Sequence, residues 1–374
     1  MEKIILLGAN RGYALLSSRR ELIQRFLDDG WCVVLATAPD EESQKLVELG
    51  AILEPVIFNR GGFSPMGDWK AGNRLRQIIL RWKPSLVHFF HAKPVIMGTI
   101  AARRGLDDNV RIVNTITGLG HAFVQGGLIT RLASTGYRRS LPKADKTIFQ
   151  NSDDMVMFLE NDWLPNSKAK LIAGSGVPLD RFCFINRSSR NCESPVIVML
   201  GRLLKQKGIP EFVEIASRIR TKIPGARFLL AGEEESAHPD GVDLDWLKNT
   251  SDIEYMGRLS DVVPLLSDAD LLLFPSYYRE GVPRVVMEAA ATGLPTVAFD
   301  VPGVREAVRD KETGFLVPDR NLDQMTERVF QLLENKELRL GLGRNASELA
   351  KDAFDIRAVQ EAYLNIYREL GVDI

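Results

Sequence analysis

Hydrophobic and polar positions follow two rhythms along this chain. Short runs rich in Val, Ile and Leu recur between longer stretches whose apolar residues fall three and four positions apart. Runs that are apolar at nearly every position read as strands buried on both faces, as in a parallel sheet. In the first half they lie at Lys3–Leu7, Cys32–Thr37, Leu86–Phe90, Arg111–Thr115 and Thr147–Gln150. The amphipathic stretches Ser18–Asp29, Trp69–Trp82 and Val95–Arg104 predict helices between them. A polar gap, Asn186–Ser194, reads as a linker, and the alternation then restarts. Strands are predicted at Val196–Leu200, Arg227–Ala231, Ile253–Met256, Leu271–Phe274 and Pro295–Phe299, with helices at Ile209–Lys222, Asp261–Ser267 and Pro283–Thr292. Repeated strand–helix units of this kind predict an α/β fold: two Rossmann-like, doubly wound parallel-sheet domains facing across a cleft. The first spans residues 1–185 and the second 195–355, leaving a last helix in 356–374 free to cross back to the first domain.

Length supports the division, since 374 residues exceed what one hydrophobic core usually serves. With 45% apolar and 26% charged residues, the composition excludes disordered, collagenous and coiled-coil classes. The three cysteines, Cys32, Cys183 and Cys192, lack paired spacing, which argues against a disulfide scaffold or a zinc ribbon and fits a reducing cytoplasm. The longest uncharged stretch, Ile112–Thr130, is interrupted by glycines and by Asn114, His121 and Gln125, so it does not read as a membrane span. The start, MEKIILLGANRG, turns polar too early for a secretory leader. A cytoplasmic protein is expected.

A net charge of −1 gives no bias towards nucleic acid, but it conceals an asymmetry. Residues 1–190 hold 26 Lys and Arg against 18 Asp and Glu, net +8, and the remainder is net −9. Between Arg103 and Lys146, eight basic residues face three acidic ones around an apolar stretch. Such a segment is either a solvated helix face or a surface for an anionic membrane leaflet or phosphate-bearing acceptor.

In open α/β sheets ligands sit beyond the carboxyl ends of the strands, so chemistry is sought in the loops leaving them. After Leu271–Phe274 comes PSYYREGVPRVVMEAAATGLPTVAF. Pro283 suits the first turn of a helix, and the amides of Val282 to Val285 would then form an anion site at the helix start. Glu280 enters this site from the loop and Glu288 lies further along the helix. Carboxylates there would repel phosphate, but they suit sugar hydroxyls if nearby cations take the phosphates. Those cations are supplied by GRLLKQKG at 201–208, where Arg202 and Lys207 leave a strand end and can converge on one diphosphate. Alone, each feature is more often a solvated surface group; together they form a constellation.

These segments carry a resemblance. G-R-x-x-x-x-K-G at 201–208 with E-x7-E at Glu280 and Glu288 resembles the retaining family-four glycosyltransferases of the GT-B fold, of the bacterial surface-polysaccharide and lipid-linked-glycan type. LLAGE at 229–233, YMGRLSDVVPLLSDADLLLFPS at 255–276 and PGVREAVRDKETGFLVP at 302–318 extend the likeness, while LVHFFHAKPVIMG in the first half matches more loosely. The resemblance implies that the second domain binds a nucleotide-sugar donor and the first an acceptor. Catalytic residues would be Arg202 and Lys207 on the diphosphate and Glu280 on the donor sugar. The donor would also meet Gly281, Val282, Pro283 and Arg284, with Glu288 on the ribose, Met256 and Arg258 near the base, and Gly12 from the other domain. Where many relatives carry a second glycine, this chain reads E-G-V-P, a variant found among enzymes building surface polysaccharides. A His expected after Arg111–Thr115 is missing; Thr117 and Gly118 stand there and His121 follows, so these and His91 are acceptor-side candidates. His88 and His91 at a strand end more commonly serve structure than catalysis. No ligand-spaced cluster indicates a metal, and no cofactor is expected beyond the donor itself.

The implied reaction is retaining transfer of a hexose or N-acetylhexose, UDP-linked by family precedent, to a glycan or polyprenyl-diphosphate-linked sugar. The enzyme would be peripheral at the inner face of the cell membrane. Alternatives are a nucleotide-sugar epimerase on the same scaffold and a non-catalytic sugar-nucleotide-binding subunit. A dinucleotide-dependent dehydrogenase fits poorly because GANRG at 8–12 lacks the G-x-G-x-x-G spacing.

Overall fold

The computed structural model describes residues 3–59, 64–105, 110–120, 123, 126–190, 194–235 and 238–374. The chain forms two compact units, the first comprising Met1–Ser175 with Arg357–Ile374 and the second Gly176–Ile356. Each is built on one parallel sheet.

The first sheet has seven strands: β1 (Ile4–Gly8), β2 (Cys32–Thr37), β3 (Ile52–Pro55), β4 (Leu86–Phe90), β5 (Arg111–Ile116), β6 (Lys146–Phe149) and β7 (Ala169–Leu171), in the order β3-β2-β1-β4-β5-β6-β7. Its inner strands are the continuous apolar runs, because helices cover both faces and every side chain meets a core. One face packs against the helices Pro65–Trp82, Ala92–Gly105 and Gly127–Ser140. The other carries the helix Gly12–Asp28 and the carboxyl-terminal helix Ile356–Glu369, whose Val359, Tyr363, Leu364 and Tyr367 are buried on the sheet. Large side chains of this kind contribute roughly 1.5–3 kcal/mol each when fully buried. Polar locks add direction. The buried Arg19 donates to the Tyr363 hydroxyl at 3.0 Å, and His88 Nδ1 lies 2.5 Å from the Tyr367 hydroxyl.

The second sheet has six strands: β8 (Val196–Leu200), β9 (Arg227–Ala231), β10 (Glu254–Tyr255), β11 (Leu271–Phe274), β12 (Thr296–Phe299) and β13 (Gly314–Val317), ordered β10-β9-β8-β11-β12-β13.

Several boundaries differ from the reading of the sequence. Strands β3, β7 and β13 lie at sheet edges and are three or four residues long, and the sequence pattern does not predict them. The first helix begins at Gly12, six residues before the predicted Ser18. The largest correction concerns the linker. The chain passes between units at Ser175 and Gly176, so the predicted linker Asn186–Ser194, of which 191–193 lie outside the described residues, falls within the second unit. Within it Arg187 is buried, donating to the carbonyls of Ala269 (2.8 Å), Thr292 (2.6 Å) and Leu266 (2.8 Å). Asn186, Ser188 and Ser189 stay exposed while the Arg187 side chain turns inward, so the polar pattern hides one buried cation that ties the segment to the fold.

Candidate functional site

The strand order of the second, all-parallel sheet reverses between β8 and β11, the switch point at which loops leaving neighbouring strands run to opposite faces and leave a crevice at the carboxyl ends. Those loops are 201–208 and 275–283, the two segments the sequence singles out. Gly208 closes the first with φ 84°, and a Cβ there would collide with the carbonyl of Pro275. Only glycine permits this approach. The loops are tied by the Tyr277 amide, which donates to the Gln206 carbonyl at 3.1 Å. Their closeness brings Lys207 against Glu280, Nζ donating to Oε1 at 2.5 Å, with the ammonium 5.1 Å from the Tyr278 ring centre. Arg202 points its Nη1 to Glu235 Oε1 at 3.3 Å.

Beside this pair stands the helix Arg284–Ala291. Pro283 is its extended N-cap (φ −62°, ψ 120°) rather than the first helical residue expected from the sequence, and its carbonyl accepts from the amides of Val286 and Met287. Of the amides expected from Val282 to Val285, those of Arg284 and Val285 stand at the open helix start, while Val282 precedes the N-cap and proline has no N–H. Gly281, Val282 and Pro283 are buried. Their backbone rests on Gly303, at φ 84°, where any Cβ would meet the carbonyl oxygens of Gly281 and Glu280. Glu288 projects from the second turn, buried, and accepts from Arg284 Nε at 2.7 Å.

Burial and pairing compete throughout the crevice. Burial pushes the Lys207 ammonium down from its ordinary range, and Glu280 opposes that shift. Burial pushes the Glu288 carboxyl up, and Arg284 opposes it. For Arg202 burial is outweighed by Tyr278, Glu235 and Glu280, which raise it. Cations are thus held beside carboxylates in a partly dehydrated pocket: the former suit a diphosphate and the latter hydroxyl groups.

Met256 and Arg258 follow the edge strand β10. Met256 is exposed, and Arg258 Nη1 lies 3.6 Å from Glu233 Oε1. In the first unit β1 and β4 flank the corresponding reversal. Gly12 follows β1, but its amide donates to Asp40 Oδ2 at 2.8 Å, so this N–H serves the fold. His91 follows β4 with φ 68° and its carbonyl accepts from Val95 at 3.0 Å. Thr117 and Gly118 follow the neighbouring β5, so the structure brings these candidates to adjacent strand ends. His121 lies outside the described residues. His88 is structural: fully buried, it contacts Tyr367 and also Thr115 Oγ1 at 2.8 Å, and burial holds its pKa well below the usual histidine range. Sequence reasoning missed Glu235, Tyr278 and Gly303, whose placement depends on neighbouring loops; GEEE at 232–235 and PG at 302–303 were the only local signals. Among the described residues no group of three His, Cys, Asp or Glu could hold a metal ion.

Comparison with known proteins accords with this geometry. The model of glycosyl transferases group 1 matches residues 181–349, and that of glycosyl transferase 4-like domains matches residues 3–151. The chain is 28% identical to the N,N'-diacetylbacillosaminyl-diphospho-undecaprenol alpha-1,3-N-acetylgalactosaminyltransferase of Campylobacter jejuni, over 96% of each protein. It is 24% identical to the putative glycosyltransferase EpsD of Bacillus subtilis, over 96% of this chain and 95% of that one. Among solved structures, sucrose-phosphate synthase from Thermosynechococcus elongatus superposes with a TM-score of 0.81 at 20% identity, covering 99% of both chains. Anabaena HepE in complex with UDP and glucose gives 0.77 at 16% identity, over 98% of this chain and 100% of that one. With one domain match in each unit, on two parallel sheets of the GT-B type, the chain belongs to the group 1, family-four-like glycosyltransferases.

Proposed function

We propose that this glycosyltransferase moves a hexose or N-acetylhexose from a UDP-linked donor, with retention, to a polyprenyl-diphosphate-linked glycan. The observation carrying the donor half is the Lys207–Glu280 pair at the β8/β11 reversal, beside the open start of the helix Arg284–Ala291. Arg202, Lys207 and the amides of Arg284 and Val285 take the diphosphate; Glu280 accepts from hydroxyls of the donor sugar and Glu288 from the ribose. In the reaction the bond from the anomeric carbon to the β-phosphate oxygen breaks, and its electron pair leaves with the nucleotide. The acceptor hydroxyl oxygen bonds the same face of that carbon, and its proton passes to the departing phosphate oxygen. Charge developing on that oxygen meets Lys207 and the helix start in a pocket already partly dehydrated, where such stabilisation is strongest. The likeness to the Campylobacter enzyme, named for a diphospho-undecaprenol acceptor, supports the acceptor class.

No helix among the described residues is long and apolar enough to cross a membrane. A peripheral mode of contact is supported by the carboxyl edge of the first sheet. Helices and loops leaving β1, β3 and β5 there expose Tyr13, Ile57, Met66, Trp69, Leu128, Ile129 and Leu132. Leu128 is 72% exposed and Trp69 65%, and Lys70 and Arg131 lie beside them on the same helices. Apolar side chains beside cations suit an anionic leaflet. Arg103 belongs elsewhere, since it is committed to the Lys143 carbonyl and to Asp145.

The test is a panel of UDP-sugars offered with a polyprenyl-diphosphate sugar in anionic vesicles, scored for transfer and for anomeric configuration by NMR. Acceptor-dependent transfer with retention is expected. Inversion, or conversion of the donor alone without acceptor, refutes the proposal. Vesicle flotation should weaken at high salt; absence of lipid binding at any salt removes the membrane component.

A further inference from the structure

Within the donor crevice, Glu235 has no place in the roles assigned above, yet it occupies Arg202. Its side chain is largely buried, and its Oε1 lies 3.3 Å from Arg202 Nη1. The meeting is built into the backbone. Loops leaving β8 and β9 run together, the Gly201 amide donating to Ala231 O (3.0 Å), Leu203 to Glu233 O (2.9 Å) and Val242 to Leu203 O (3.0 Å). The Glu235 carbonyl accepts from the His238 amide at 2.8 Å. A Cβ at Gly241 would strike that carbonyl. Arg202 and Glu235 therefore face each other from two loops stitched side by side, and neither carboxylate nor cation has to reach across open solvent.

A diphosphate seeking the half-buried Arg202 guanidinium must first take it from the largely buried Glu235 carboxylate. The same carboxylate then stands beside the bound phosphates and repels them. That repulsion does not fall equally on substrate and product. A nucleotide-sugar carries one negative charge on each of its two phosphates; after transfer the β-phosphate is terminal and, near neutral pH, carries up to one charge more. We propose that Glu235 is a specificity-determining and release-promoting residue. By competing for Arg202 it discriminates against the more highly charged nucleoside diphosphate product relative to the donor, and so hastens product departure. This inference rests on the proposed donor reading of the crevice.

The test is calorimetric binding of UDP and of UDP-N-acetylgalactosamine to the wild-type chain and to Glu235→Gln, which keeps shape and removes charge, with Glu235→Ala as a second variant. UDP should bind the glutamine variant about 5-fold tighter or more, and the sugar nucleotide less so, widening their affinity ratio by at least about 2-fold. Product inhibition by UDP should strengthen in step, while melting temperatures show that both variants are folded. If UDP binds all three proteins alike, or if both ligands tighten equally, the inference is overturned. Weaker binding to the glutamine variant also overturns it, identifying Glu235 as a ligand contact instead. If neither ligand binds any of the proteins, the donor reading itself fails, a result distinct from all of these.

Discussion

Replacing Lys207 with Ala tests the donor crevice most directly. The ammonium is buried, lies 2.5 Å from Glu280 Oε1 and is 5.1 Å from the Tyr278 ring centre, so its charge acts where water screens it little. Loss of one preorganised donor to a developing oxyanion costs about 2.7–4 kcal/mol, or roughly 100- to 1,000-fold in turnover. Lys207→Ala should therefore lower kcat by more than 100-fold. A second effect must be separated from this one. Removing Lys207 also deprives the largely buried Glu280 carboxylate of a close cation, which weakens both the fold and the binding of any diphosphate. Lys207→Ala/Glu280→Gln removes that carboxylate charge as well. If Lys207 acts on the leaving phosphate, the double variant should regain stability and UDP affinity but not kcat. The assay is steady-state transfer with the donor varied, accompanied by UDP titration and thermal melts of both variants. A kcat within a few-fold of wild type in Lys207→Ala, or full recovery of kcat in the double variant, would refute the role.

Two further outcomes follow from the packing. Gly303→Ala places a Cβ against the carbonyls of Gly281 and Glu280 at φ 84°; the donor KM should rise at least about 10-fold with both sheets retained by circular dichroism, and unchanged kinetics would show that this buttress is dispensable. His88 is held neutral by burial, so below about pH 6.5 the unfolded chain takes up a proton that the fold refuses. Its contribution is complete above that pH and is lost as pH falls, at up to about 1.4 kcal/mol per pH unit until the folded pKa is reached. Urea melts between pH 7.5 and 5.5 should show a steeper loss for wild type than for His88→Gln, and equal slopes would contradict the assignment.

Much of this protein is written locally. Strands buried on both faces are mostly apolar, which is why β2, β4, β8, β9 and β11 fall at the runs rich in Val, Ile, Leu and Phe. Arg202, Lys207, Glu280 and Glu288 are legible for a related reason: they lie in glycine-bearing loops at strand ends, or on the helix that follows one, and a parallel sheet gathers such loops at one edge. What needed the tertiary structure depends on partners distant in sequence. Edge strands β3, β7 and β13 exist because a neighbour offers a ladder, not because a few residues insist on it. Asn186–Ser194 looks like a spacer until the carbonyls of Leu266, Ala269 and Thr292 are seen to surround Arg187. His88 could have served chemistry or structure, and Tyr367, 279 positions away, decides for structure. Glu235 meets Arg202 only because two loops lie in parallel. Periodicity records which faces are dry, whereas pairing between remote side chains records where the folded chain places them.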